Sequence, residues 1–221
     1  MSTLDIIWAY REALTRGLFV TAQMAALICG IGIVAGTLLG CAAAKLQRTL
    51  GRALTVLGFI ISSIPILVLL FWFHYPAQTL VGVVLPPFWT AVVALGLVNV
   101  LAVAAIVRPA IEQFPEQLAI AGRVLGLSGP SITLRIRLPL ILRQAAPALL
   151  FTQVTAIQGT LFASLISVPE LFRIAQQINA LEYRPVQIYT ALAAFFLIVC
   201  LPINGLALIL HRRFKRALSE R

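Results

Sequence analysis

The chain has 221 residues and a formal charge of +10, yet only 11% of its residues are charged and its mean hydropathy is +1.00. Soluble domains carry about 25% charged residues, so this composition excludes an ordinary soluble enzyme or carrier. The surplus cations do not indicate nucleic acid as a partner: they sit at the edges of uncharged stretches, where membrane orientation and anionic lipid head groups favour them.

No cleavable leader is expected, because Asp5 and Glu12 precede a first apolar run that is already of span length. That run, Gly17 to Ala44, is bounded by Arg16 and Lys45 and suffices for one membrane-spanning helix. Its tandem glycines Gly32, Gly36 and Gly40 call for close helix packing rather than a ligand. Ala53 to Val107 holds no charged residue and one histidine, His74, but is too long for one span. "HYPAQ" and the "LPP" at Leu85 to Pro87 interrupt it, which predicts two spans, about 53–75 and 88–107.

The next segment, about 109–143, is polar and exceeds a simple turn. A helix is predicted from near Pro115, with Glu116 in its first turn and Leu118, Ala121, Gly122 and Leu125 recurring at helical spacing. Gly126 suits the left-handed residue at a helix end. A second helix starts at "SGPS", and Pro139 is expected to close it before the fourth span. Periodicity alone fits equally a unit lying on the membrane and one filling a groove on a partner. Gln144 to Pro169 is the fourth span and Pro185 to Leu210 the fifth. Between them, Glu170 and Arg173 in "VPELFR" read as the cap of a short surface helix, or else as a contact for an external protein.

Five spans put the two termini on opposite sides. Thirteen of the 17 basic residues then share one side: Lys45, Arg48 and Arg52, then Arg108, Arg123, Arg135, Arg137 and Arg143, then Arg212, Arg213, Lys215, Arg216 and Arg221. Arg11, Arg16, Arg173 and Arg184 take the other. The positive-inside rule places the larger set in the cytoplasm and the amino terminus outside.

The sequence has no phosphate-binding G-x-x-x-x-G-K-[ST], its only lysines being Lys45 and Lys215, so the chain is not expected to hydrolyse ATP itself. No Asp or Glu falls within a predicted span, which argues against a proton-coupled transporter. Cys29, Cys41 and Cys200 are too far apart to suggest a metal site, and no nucleophile–base pair is visible. No catalytic residue, metal ligand or cofactor of its own is predicted.

Gly126, followed ten residues later by "IRLP" (136–139), resembles the EAA loop of ABC importer permeases. "GLFVTAQMAALICGIGIVAGTLLG" (17–40), "VPELFRIAQQI" (168–178) and "YRPVQIYTALA" (183–193) are similar to segments of the polar amino-acid permease family, the histidine/glutamine type. The resemblance implies an all-α, polytopic, single-domain chain (1–221) of the type I ABC importer permease fold, in a bacterial plasma membrane. It implies a second permease chain, different or identical; a cytoplasmic ATPase dimer that holds the ATP and Mg; and a periplasmic or extracellular solute-binding protein. It assigns ATPase coupling to Glu116, Ala121, Gly122, Gly126, Leu127, Ile136 and Pro139. Two other readings stay open: a non-transporting regulatory subunit and a secondary transporter.

Departures from the family pattern are specific. Ile120, Ala121 and Gly122 stand where the motif has Glu-Ala-Ala, leaving Glu116, one turn earlier, as the available acid. "ISSIP" (61–65) replaces the family's "FRGTP" and "AAIVRPA" (104–110) its "AEIFRGG", so Arg108 is kept while the acid becomes Ala105. That loss removes a counter-charge for a substrate ammonium and suggests a less substrate-engaged half of a heterodimer, or an unusual substrate. The candidate substrate-pathway residues are Ser62, Asn99, Gln153, Gln158 and Thr160, with interhelical hydrogen bonding as the competing role for each.

Overall fold

A computed structural model describes residues 3–219, with side chains through Arg213; the side chains of Lys215 and Arg216, and all of Arg221, lie outside the described residues. Among those residues every regular element is a helix, joined by short turns, and there is no strand. A short α1 (Thr3–Ala9) leads into α2 (Arg11–Lys45), and a π-helical turn (Gln47–Gly51) into α3 (Arg52–Ser63). Then come α4 (Ile66–His74), α5 (Pro76–Val81) and α6 (Pro87–Glu112). The polar segment contributes α7 (Glu116–Val124) and α8 (Gly129–Ile132); α9 (Leu138–Gly159), α10 (Leu171–Glu182) and α11 (Pro185–Ser219) follow.

Among the described residues four helical runs are long and apolar enough to cross a membrane: Arg11–Lys45, Pro87–Glu112, Gly129–Ile166 and Pro185–Arg213. The second expected span is not one straight helix. Gln47–Ser63 and Ile66–Val81 meet at 96°. Pro65 causes the break, since a residue before proline is pushed out of helical geometry and Ile64 is extended (ψ 124). Ser62 and Ser63 finish the preceding helix by donating their hydroxyls back to the Phe59 carbonyl, at 3.1 and 2.8 Å.

The fold centres on α6, the most buried of the long helices. Its main partner is α2, which presents Thr21, Met24, Ile28, Gly32, Gly36 and Gly40 as one buried stripe at three- and four-residue spacing. A side-chain carbon on Gly36 would stand 2.7 Å from the Val100 carbonyl and from Val103, so the glycines allow the two backbones to approach. Met24, Ile28, Leu70, Val92, Leu95 and Ile166 fill the core between α2, α4, α6 and the end of the α9 run.

Pro139 does not close the loop helix. Helix runs unbroken from Gly129 to Ile166 because Thr133–Arg137 opens into a π turn, with the Leu138 N–H reaching back to the Thr133 carbonyl. The wider turn relieves the clash and the missing donor that a proline otherwise brings to a helix.

Candidate functional site

Two regions gather the candidate functional residues. The first lies at the α6–α9 contact. Asn99 (3% exposed) donates from Nδ2 to the Ile28 carbonyl and to Gln153 Oε1, both at 3.0 Å, and Gln153 Nε2 donates back to Asn99 Oδ1 at 3.5 Å. One pair of amides thus ties α2, α6 and α9 together. Gly32 makes room for it: a Cβ there would lie 2.1 Å from Asn99 Nδ2.

Beside this tie is an open seam. A cavity of about 180 Å³ is lined by Ile66, Asn99, Thr152, Thr155 and Gly159. Through shared residues Val98 and Ala102 it continues into a cleft of about 510 Å³ bordered by Thr55, Ser62, Ala105, Arg108 and Glu112. Arg108 Nε donates to Glu112 at 2.7 Å, and Nη1 donates to Thr55 Oγ1 at 2.9 Å and to the Gly51 carbonyl. Arg108 is therefore a brace between α6 and α3, internally neutralised, and the cleft wall at Ala105 carries no charge.

Of the five sequence-predicted pathway residues, Ser62 and Asn99 line this seam, and Gln153 backs it through Asn99. Gln158 is exposed on α9, while Thr160 is fully buried with its hydroxyl donating to the Ile157 carbonyl at 2.7 Å. Thr55, Thr152 and Thr155 also line it and were absent from that set; the i, i+3, i+7 spacing of Thr152, Thr155 and Gly159 was the available signal.

The second region is the loop. Gly126 has φ +78, the left-handed conformation expected of it, and turns the chain between α7 and α8. Ala119 and Gly122 face inward, so the buried face of α7 differs from the expected Leu118/Ala121/Gly122/Leu125 set. Phe114, Ala119 and Ile132 form a small core, with Leu127 and Ile136 packed on it. A Cβ on Gly122 would stand 3.1 Å from Ile136 Cδ1 and 3.2 Å from Ile132 Cγ1, which accounts for a glycine there. Glu116 pairs with Arg137, whose guanidinium also lies 5.2 Å from the centre of the Phe114 ring. The acid is thus engaged inside the chain, bracing α7 against the base of the α9 run. Exposed Glu116 is thereby occupied, and the rest of the outward surface is mainly apolar and basic: Ile120 (55% exposed), Val124 (82%) and Leu125 (80%), beside exposed Arg123 and Arg135.

Glu170 caps α10, as expected. Its carboxylate accepts from the backbone N–H groups of Phe172 (2.8 Å) and Arg173 (2.7 Å), while the Leu171 N–H donates to Thr21 Oγ1 of α2 at 3.0 Å. The side chain is fully buried, and burial pushes its pKa up to about 7 against the downward pull of these hydrogen bonds.

Residues 32–216 match the family described as binding-protein-dependent transport system inner membrane component. The chain belongs to this family. It is 31% identical to the L-cystine transport system permease protein TcyB of Bacillus subtilis, over 94% of this chain and 88% of that one. It is 30% identical to the glutamine transport system permease protein GlnP of Escherichia coli K12, over 95% and 96%. Among solved structures, an amino acid ABC transporter superposes with a TM-score of 0.81 at 22% identity, covering 96% of this chain and 99% of that one. The MetNI methionine ABC transporter in an inward-facing form gives 0.70 at 24%, over 95% and 97%. These two carry the fold. The permease is thus a multi-pass transport component of the bacterial plasma membrane, a reading favoured over a regulatory subunit or a secondary transporter.

Proposed function

We propose that this permease moves an amino acid or closely related small polar solute into the cytoplasm, driven by a separate ATPase dimer that binds ATP and Mg. Five crossings are proposed, the bent pair counting as one, with the amino terminus outside and the side rich in arginine and lysine in the cytoplasm. The chain acts as one domain, 1–221, with 109–143 as its coupling loop, and an external binding protein delivers the solute. The observation that carries the reading is the loop surface. Val124 and Leu125 are almost fully exposed on a loop held rigid by its own small core, and such an apolar face fits a groove on a partner. Glu116, Ala121, Gly122, Gly126, Leu127, Ile136 and Pro139 make up or support that face: Ala121 as part of the exposed surface, Glu116 through Arg137, Gly122, Leu127 and Ile136 through the loop core, Gly126 through the turn, and Pro139 at the base of the α9 run. A second permease chain, different or identical, closes the seam from its open side; the uncharged wall at Ala105 favours a zwitterionic or uncharged solute, or a different chain that supplies the charge.

The test is Gly126→Asp in the assembled transporter. Membrane levels should be unchanged, while the ATPase that copurifies with the tagged chain, and ATP-driven uptake, should both fall. Normal uptake with Gly126→Asp would remove coupling from this loop.

A further inference from the structure

The geometry points to a phospholipid site at the amino-terminal end of the bundle. The acyl chain lies in an apolar groove between α2 and α11, and the phosphate sits on the guanidinium of Arg11. Alpha-helices 2 and 11 make almost no direct contact with each other, although α10 packs on both and α1 touches both. The space left is a groove of about 260 Å³. Its polar side chains, Thr3, Arg11, Thr15 and Gln187, gather at the amino-terminal ends of the three helices; Leu18 on α2 and Ala191, Leu192 and Phe195 on α11 line it further in. From Arg11 to Leu18, and from Gln187 to Phe195, is about 10–12 Å along a helix. The groove therefore runs from polar to apolar in the direction a lipid does, head group first and hydrocarbon deeper.

Arg11 is set for this role. Its guanidinium lies 4.9 Å from the centre of the Trp8 ring, and Nη1 donates to the Trp8 carbonyl at 3.3 Å. That fixes the group while using one of its five N–H donors. The nearby acid Glu12 faces Arg16, at 3.9 Å. Leu4 and Trp8 point outward from α1, at 76% and 71% exposure, as on a helix lying in the membrane interface. Water is a poor occupant of an apolar gap, and a lipid tail at this depth is the commonest available filler.

The test uses the complete transporter in nanodiscs of phosphatidylethanolamine and phosphatidylglycerol, with a trace of phosphatidylglycerol bearing a photoreactive group on its acyl chain. Labelling should concentrate on Leu18 and on Ala191 to Phe195. Arg11→Ala leaves the packing intact and should cut it about fivefold, the value of one arginine at an anionic membrane surface. Ala191→Trp, which fills the groove, should abolish it, while labelling at Val34, exposed on α2 and outside both the groove and the seam, stays constant. Labelling of the groove that ignores both substitutions would reduce it to ordinary surrounding lipid and overturn the proposal. Absence of groove labelling, with crosslinks from these positions to the second permease chain, would assign the groove to that chain instead.

Discussion

Replacing Gly32 by alanine adds one methyl group where the structure leaves no room. The new carbon would stand 2.1 Å from Asn99 Nδ2 and 2.5 Å from its Cγ. Either α2 moves away from α6 by about 1–1.5 Å, opening the buried stripe, or Asn99 swings out and loses its donations to Ile28 and Gln153. Overpacking of this kind costs about 1–3 kcal/mol, and each interhelical hydrogen bond in a membrane about 0.6 kcal/mol. Either route costs about 1–3 kcal/mol, which corresponds to a fall in Tm of roughly 2–12 °C for a chain of this size. The assay is thermal unfolding of the detergent-purified complex, followed by loss of the monodisperse peak in size exclusion. Gly30→Ala is the internal control: it lies on the same helix with nothing within 4 Å of its added carbon, and alanine's better helix propensity should make it neutral or slightly stabilising. Asn99→Ala removes the obstructing side chain, so the double variant Gly32→Ala/Asn99→Ala should be more stable than the sum of the single losses predicts. If Gly32→Ala melts with the wild type, or Asn99→Ala gives no rescue, the close approach of α2 on the amide pair is not what holds this interface.

Leu125→Asp should leave the chain at normal membrane levels but at least halve the ATPase that copurifies with it, since it places a carboxylate in the proposed apolar contact. Arg137→Glu should raise ATP hydrolysed per solute transported by loosening α7 from the α9 run, and the swap Glu116→Arg/Arg137→Glu should restore much of the ratio; failure of the swap would make Arg137 a packing residue only. The pKa of Glu170 is raised above its unfolded value of 4.5 to about 7, so its contribution to stability is complete below about pH 4.5 and is lost as pH rises through about 7. That predicts a loss of up to about 3 kcal/mol between pH 5 and pH 8, visible as a lower Tm at the higher pH. Glu170→Gln, which keeps an acceptor for the cap, should flatten the profile.

The features legible in the sequence are those settled within a turn or two of chain. Gly126 needed only its place at the end of an apolar helical pattern, Glu170 only its place before α10, and the Gly32/Gly36/Gly40 strip only its spacing. The bend at Pro65 was legible as a proline but not as a direction, because its angle depends on Leu69 and Leu70 of α4 finding the core beside Met24 and Ile28. Pro139 misled for a related reason: a proline usually ends a helix, and the π turn that accommodates it has no local signature. Glu116 and Arg137 are 21 positions apart, so their pairing, which occupies the one acid of the loop helix while leaving it at the surface, rests on tertiary packing of the loop. Thr152 and Thr155 were visible as polar residues at membrane depth, but the side of α9 that stays open is decided by where α4 and α6 pack.

The unbroken run from Gly129 to Ile166 makes the loop and the deep end of the seam parts of one beam. At 1.5 Å per residue its 38 residues extend about 57 Å. Pivoted near its base, a rod of that length tilted by about 5° carries its far tip roughly 5 Å sideways, comparable to the width of a small solute's carboxylate or amide group. Thr152 and Thr155 lie more than halfway along, so the same tilt moves the seam lining by about 3 Å without any helix having to unwind. Had Pro139 broken the rod, the same tilt would have been absorbed at a hinge.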